Sequence, residues 1–172
     1  MNSKLKAWNA KLAIIALGSN LGDSRRIVLE AMKRLQSLSD RPVRKSSLWQ
    51  TSPVNCPPDS PMFVNAVVGV VPRRVETPKS LLKKLQSLER DFGRRQKKVH
   101  NEPRPLDLDL IAFGSEICDT PELILPHPRA HLRRFVLQPL SEIAPDLIFL
   151  GQSKTVSRLL AELISEETIT RL

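Results

Sequence analysis

In "PLDLDLIAFG", residues 105–114, leucine and aspartate alternate, with Leu106, Leu108 and Leu110 on one parity and Asp107 and Asp109 on the other. Period-two alternation marks a strand with one buried face, and Gly114 closes it. Aspartate is depleted in strands, so something other than core packing dictates this stretch. The two carboxylates leave the same face, with Cα atoms roughly 7 Å apart. One reading is the solvated polar face of a half-buried antiparallel strand. The other is a pair that brackets cations about 3.5–4 Å apart, the spacing of two-metal phosphoryl chemistry; hard oxygen ligands then select Mg²⁺ over zinc. Ile111 puts an apolar residue on the carboxylate face, and adjacent like charges are unfavourable without a counter-ion. Both facts weigh against the solvated face.

The segment just upstream, "RDFGRRQKKVHNEPR", carries Arg90, Arg94, Arg95, Lys97, Lys98 and Arg104. Cations at a helix C-terminus complement the helix dipole, which accounts for Arg90 and Arg94 but not for the charges further on. A basic loop leading into a two-carboxylate strand sets phosphate-binding cations beside metal ligands, as nucleoside triphosphate chemistry requires. The formal net charge of +9 also calls for an anionic partner: nucleic acid, an acidic membrane surface or a polyphosphate small molecule. The run lacks the interleaved aromatics on which nucleic-acid bases stack, which favours the small molecule.

At 172 residues the chain fits one domain, residues 1–172, able to bury roughly two-thirds of the surface its unfolded form exposes. The apolar run Leu12 to Leu17 is far shorter than the roughly 20 residues of a membrane span. It reads as a buried strand, and the chain as cytoplasmic with no membrane partner. Cys56 and Cys118 sit in no metal-ligand pattern and read as reduced thiols.

After the first strand, "GSNLGDS" is a tight turn in which Asp23 or Ser24 caps a helix, and Ile27, Ala31, Leu35 and Leu38 recur at helical spacing. A second strand is expected over Val43 to Thr51 and a third in "MFVNAVVGVV". Between them, the prolines of "SPVNCPPDSP" exclude regular structure. Thr77 followed by Pro78 opens a second helix, whose apolar face is Leu81, Leu85, Leu88 and Phe92 and which Gly93 ends. The Asp-bearing strand follows, then a short strand from Glu116 to Asp119. Residues 121–146 are proline-punctuated with short helical pieces, and "TVSRLLAELISEE" predicts a terminal helix. The order βαββαβ is the split βαβ, ferredoxin-like arrangement. The expected fold is α+β, an antiparallel sheet with helices packed on it in three α/β/α layers.

Asn65 interrupts the apolar strand "FVNAVVGVV", and a buried amide needs hydrogen bonds, either internal or from a ligand. With Phe63 on the same face it offers a flat apolar surface beside a donor and an acceptor, suited to a planar nitrogen heterocycle. His127 and His131 in "PHPRAHLRRF" stand four apart, but Pro126 and Pro128 break the helix a zinc pair needs, and no third ligand is evident.

In this order, "ALGSNLGD", "SSLWQTSPV", "FVNAVV", "PRPLDLDLIAFG" and "LPHPRAHLRRFVLQPLSEIAPDL" resemble the 6-hydroxymethyl-7,8-dihydropterin pyrophosphokinases of folate biosynthesis. The resemblance implies transfer of the β,γ-pyrophosphoryl group of ATP to the pterin's hydroxymethyl oxygen, releasing AMP, with two Mg²⁺ ions. It implies that Asp107 and Asp109 are the metal ligands. Glu89, Arg94, Arg104, His127 and Arg133 would hold ATP, with Arg94 and Arg104 joining the two aspartates in catalysis. Thr51, Pro53, Val54, Phe63, Asn65 and Phe135 would form the pterin pocket, Asn65 reading the ring edge and the two phenylalanines stacking on its faces. It further implies small-molecule substrates without nucleic acid, and a monomer. Gln96 stands where many members have a second loop arginine, Asn101 and Glu102 where they have Trp-Gly, and Phe63 where Tyr is common. The residues alone leave two rivals. A two-metal nucleotidyl transferase would release pyrophosphate, and a non-catalytic nucleic-acid-binding module would not need Asp107 or Asp109.

Overall fold

The computed structural model describes residues 12–94 and 102–172. Arg95, Lys97 and Lys98 of the basic run, and the departures at Gln96 and Asn101, lie outside the described residues.

The first strand, β1 (Ala13–Ser19), is apolar on both parities and therefore needs cover on both faces. Ala13, Ile15 and Leu17 belong to one buried cluster, while Leu12, Ile14 and Ala16 belong to another on the opposite side. Over the first cluster lies α1 (Ser24–Arg34), capped by Asp23, whose side chain accepts from Arg26 N at 3.1 Å. Beside it packs α2 (Pro78–Asp91), which begins as the sequence predicts, with Thr77 and Ser80 in a reciprocal capping box and Pro78 in the first turn. Leu81, Leu85 and Leu88 of α2 are buried there, each contributing roughly 1.5–3 kcal/mol on removal from water. The other cluster is covered by α3 (Arg134–Ile143) and α4 (Val156–Glu162), which bury Val136, Leu137, Leu140 and Val156. The result is the expected helix–sheet–helix sandwich, an α+β fold.

Beside β1 run β4 (Phe63–Val70) on one side and β5 (Asp107–Phe113) on the other, both antiparallel to it. β2 (Arg44–Lys45) and β3 (Trp49–Thr51) pair with β4, and β8 (Ile169–Arg171) adds outside β3. The path β5–β1–β4–β3 is the strand order of a ferredoxin-like sheet, extended by β8. β6 (Cys118–Thr120) and β7 (Leu123–Leu125) form a separate two-stranded sheet. Among the described residues no helix is long and apolar enough to cross a membrane.

Several elements differ from the sequence expectation. The strand over Val43 to Thr51 is broken between Lys45 and Trp49. There Ser46 N donates to Val67 O at 3.0 Å while Ser46 Oγ accepts from Val67 N at 2.9 Å, a side chain taking the place of a ladder carbonyl. The short strand expected over Glu116 to Asp119 lies at Cys118–Thr120 and pairs with β7 instead of joining the main sheet. The terminal helix stops at Glu162, where Leu163 turns extended at the C-cap, and Ile164, which would continue the apolar repeat, is left exposed. The chain then returns to form β8, a strand no local pattern announces.

Candidate active site

A cavity of about 480 Å³ opens where the sheet emerges beyond the start of α3, a size ordinary for small-molecule sites of about 300–1,000 Å³. Its floor contains Gly18, which lies opposite Asn65 on β4 and opposite Asp107 on β5. Asp107 and Asp109 share the face of Ile111, which is fully buried in the α3-side cluster. The carboxylates are thus the part of that face that α3 leaves uncovered, and they open onto the cavity, while Ile111 on the same face is packed.

At the carboxylate end, the last turn of α2 brings in Glu89, only 7% exposed, whose Oε1 accepts from Leu108 N at 2.8 Å. Gly93, at φ +86°, turns the chain at the helix end. That turn aims Arg94 back at Glu89, with which it pairs, and at Asp107, whose Oδ1 lies 2.5 Å from Arg94 Nη1. Arg104 Nη2 lies 2.7 Å from the other oxygen of Asp107, and Arg133 Nη1 lies 3.8 Å from Asp109 Oδ2. Burial pushes the Glu89 carboxyl up to about 7, against the Leu108 N–H and Arg94. Desolvation and the neighbouring Asp107 push Asp109 up, opposed by Arg133, Arg104 and Arg94.

His127 is fixed by its own N–H, which donates to Ile111 O at 2.8 Å. Its Nδ1 accepts from Arg129 N at 3.2 Å, so the neutral ring carries its proton on Nε2. Burial and the nearby Arg133 and Arg129 lower His127 to about 4, which keeps the ring neutral. Asn20, in the "GSN" turn, holds the segment of Arg104: its Oδ1 accepts from Arg104 N at 2.9 Å and its N donates to Arg104 O at 3.2 Å. Sequence reading saw only a turn there.

At the other end, Asn65 Nδ2 donates to Thr51 Oγ1 at 2.7 Å, which orients the amide. Both alternatives for Asn65 therefore meet: the NH₂ is satisfied internally, and the residue still lines the cavity. Phe63 and Phe135 line it too, each with an arginine of the carboxylate end over its ring, Arg104 at 5.8 Å from the Phe63 centroid and Arg133 at 5.3 Å from that of Phe135. The two ends are thus one continuous site. Of the site residues that the resemblance implies, all but Pro53 line this cavity. Glu167 and Arg129 line it as well and were missed. Arg129 was within reach, as a cation of the "PHPRAHLRRF" stretch, but Glu167 fell inside an expected helix.

Among the described residues no group of three or more His, Cys, Asp or Glu is placed so that it could hold a metal ion. Two carboxylates with the remaining positions open is the oxygen-only set that Mg²⁺ takes when substrate phosphates and water complete its shell. The residues present fit that ion and no closed structural metal site.

A family model for 7,8-dihydro-6-hydroxymethylpterin-pyrophosphokinase (HPPK) matches residues 14–145. The chain is 37% identical over 161 residues to the 2-amino-4-hydroxy-6-hydroxymethyldihydropteridine pyrophosphokinase of Haemophilus influenzae, covering 91% of this chain and 96% of that protein. It is 39% identical over 134 residues to the Pseudomonas aeruginosa protein of the same name, covering 77% and 80%. The folic acid synthesis protein fol1 of Pneumocystis carinii is 35% identical over 153 residues, but the chain spans only 20% of its length. The crystal structure of wild-type Plasmodium falciparum HPPK-DHPS with pteroate superposes with a TM-score of 0.71 at 13% identity, over 88% of this chain and 44% of that one, a likeness of fold. With sequence matches running through β1, both ends of the cavity and α3, this chain belongs to the 7,8-dihydro-6-hydroxymethylpterin-pyrophosphokinase family.

Proposed function

We propose that this chain transfers the β,γ-pyrophosphoryl group of ATP to the hydroxymethyl oxygen of 6-hydroxymethyl-7,8-dihydropterin and releases AMP. One observation carries the reading beyond family membership: a carboxylate end ringed by arginines and an aromatic–amide end share one cavity and meet at Gly18. A polyphosphate suits the first end and a flat heterocycle the second.

In this proposal Asp107 and Asp109 hold two Mg²⁺ ions, which when bound neutralise and orient the ATP phosphates. Arg94, Arg104 and Arg133 add fixed positive charge where negative charge spreads over the transferred group. Arg104 Nε is buried without a hydrogen-bond partner among the described residues, a donor whose burial cost an arriving anion offsets. Neutral His127 offers Nε2–H to an ATP oxygen without adding charge. Asn65, anchored through Thr51, keeps its carbonyl oxygen for an N–H of the pterin edge, and Phe63 and Phe135 take the ring faces. The hydroxymethyl oxygen then attacks the β-phosphorus in line while the bond from that phosphorus to the α,β-bridging oxygen breaks; AMP departs with the bridging oxygen, and the hydroxyl proton is released to water. Positioning and charge neutralisation supply most of the rate, as is general for phosphoryl transfer. The same reading has the chain working as one catalytic unit, a monomer of the cytoplasm, on small molecules and not on nucleic acid.

The test is to incubate the protein with ATP, Mg²⁺ and 6-hydroxymethyl-7,8-dihydropterin and separate the nucleotides. AMP formed only in the presence of the pterin is the expected result. ADP, or pyrophosphate as a nucleotidyl transferase would release, overturns the proposal.

A further inference from the structure

Beyond α4 the chain comes back to the aromatic end of the cavity and is tied down around it. β8 pairs with β3, Ile169 opposite Thr51. Thr168 is joined to Ser52 twice, Ser52 N donating to Thr168 O at 3.1 Å and Thr168 N donating to Ser52 Oγ at 3.1 Å. Glu167, the preceding residue, reaches across to α3. Its Oε2 accepts from Phe135 N at 3.1 Å, and its side chain lines the cavity.

Phe135 N is one of the donors that the first turn of a helix leaves without an internal partner. Arg133, at the N-cap position, makes no capping side-chain hydrogen bond. Glu167 provides the cap instead, from the far end of the sequence, and a carboxylate is the favourable charge at that end of a helix. Adjacent residues of one strap thus hold Ser52, where the loop leaving β3 begins, and the backbone of Phe135, whose ring lines the opposite wall.

Resting on the pterin reading of the cavity, we propose that Glu167 is a positioning residue for the heterocycle: together with Thr168 it sets the separation between the Ser52 loop and Phe135, the gap into which the ring slides. It acts through Phe135 and makes no contribution to the chemical step. Its charge also faces Arg133, where burial lowers the guanidinium and Asp109 opposes that loss ahead of Asp107 and Glu167. A mere fastening of the chain end would affect stability alone. A spacer of the pterin walls lowers pterin affinity without weakening the ATP end.

The experiment titrates full-length wild type, Glu167→Ala, Glu167→Gln and Ser52→Ala with the pterin and, separately, with a non-hydrolysable ATP analogue, and records each protein's thermal midpoint. Glu167→Ala is expected to weaken pterin binding roughly tenfold, the loss of one hydrogen bond to a charged acceptor, with ATP-analogue affinity equal to or above that of the wild type, because the charge removed beside Arg133 is negative. Glu167→Gln keeps an acceptor for Phe135 N and is expected to recover most of the loss. Ser52→Ala, which removes only one of the two Thr168 bonds, is expected to show the same selective effect in smaller measure, and it serves if Glu167→Ala does not fold. Equal pterin affinity in the wild type and the variants overturns the inference, as does a parallel loss at both substrates. A folded wild type that binds the ATP analogue but no pterin overturns the functional reading itself, a result distinct from failure of the Glu167 role.

Discussion

Asn65 and Asp107 lie opposite the same residue, Gly18, in the two ladders that flank β1. The amide at the aromatic end and the carboxylate at the phosphate end are therefore two strand spacings apart, about 10 Å, with no side chain between them. A Cβ at position 18 would stand 2.9 Å from Asn65 Oδ1 and 3.8 Å from Phe63 Cδ1. The first distance is too short to keep, so Gly18→Ala should push the amide off its Thr51 anchor. Pterin affinity should fall by roughly tenfold or more, the equivalent of one disturbed buried hydrogen bond, with the ATP-analogue affinity retained. Titration with each ligand checks this.

Replacing either aspartate should abolish most turnover, but the two should part in stability. Asp109→Ala removes one member of a like-charged pair at the cost of a single looser contact, with Arg133 at 3.8 Å, so its thermal midpoint should stay close to that of the wild type. Asp107→Ala strands Arg94 and Arg104 without their shared partner, and its midpoint should fall. In both, AMP formation should drop by at least about 10²–10³-fold, the scale of losing one preorganised electrostatic contact. Near-normal turnover in both variants would remove the case for a metal site.

Glu89 carries a structural duty beside its place in the cavity wall. Its Oε1 is the acceptor for Leu108 N, so Glu89→Ala leaves a buried N–H unpaired, at a cost of about 1–3 kcal/mol. In a chain of this size each kcal/mol lowers the thermal midpoint by about 2–4 °C. Glu89→Gln keeps an acceptor and should keep most of the stability. Calorimetry of the two variants against wild type distinguishes the cases, and equal midpoints for Ala and Gln would contradict the assignment.

His127 gives a pH dependence of known sign. Its folded value is lowered to about 4, while an unfolded chain holds histidine near 6.5. Between these values the unfolded state binds a proton that the folded state refuses, so stability falls as pH drops from about 6.5 toward 4. His127→Gln lacks this penalty. Its stability relative to wild type should therefore rise steadily across that window and stay constant above pH 7, as urea unfolding at several pH values would show. A difference independent of pH would mean that His127 is not held neutral.

The parts of this site that were legible in the sequence are those where a periodic pattern meets an odd residue. Asp107 and Asp109 break the rule for strands, and Asn65 breaks the rule for apolar runs, so each could be singled out before its neighbours were known. Arg94 was not, because a cation just past a helix C-terminus is already explained by the helix dipole, and only the resemblance gave it a place in the site. Glu167 was not, because its partner Phe135 stands thirty-two residues earlier and nothing local distinguishes it from a glutamate on a solvated helix. β8 escaped likewise: three residues hold no period, and their pairing with β3 is decided by an open sheet edge. The break between β2 and β3 turns on one serine hydroxyl substituting for a backbone carbonyl, a choice that composition does not reveal.

The register of β5 against β1 pairs Leu108 with Leu17 and Asp109 with Ala16. A slip of one residue would exchange the faces of the whole strand, sending Asp107 and Asp109 in among Leu81, Leu85 and Leu88 beneath α2. Two unpaired carboxylates in that interior would cost more than the entire stability margin of a domain, about 5–15 kcal/mol. The misaligned sheet is thus forbidden by the same side chains that face the cavity when the alignment is right. With leucine at both positions the strand would be apolar on either parity and would have no ground for choosing a face. The carboxylates thus select the alignment of the strand as well as facing the cavity.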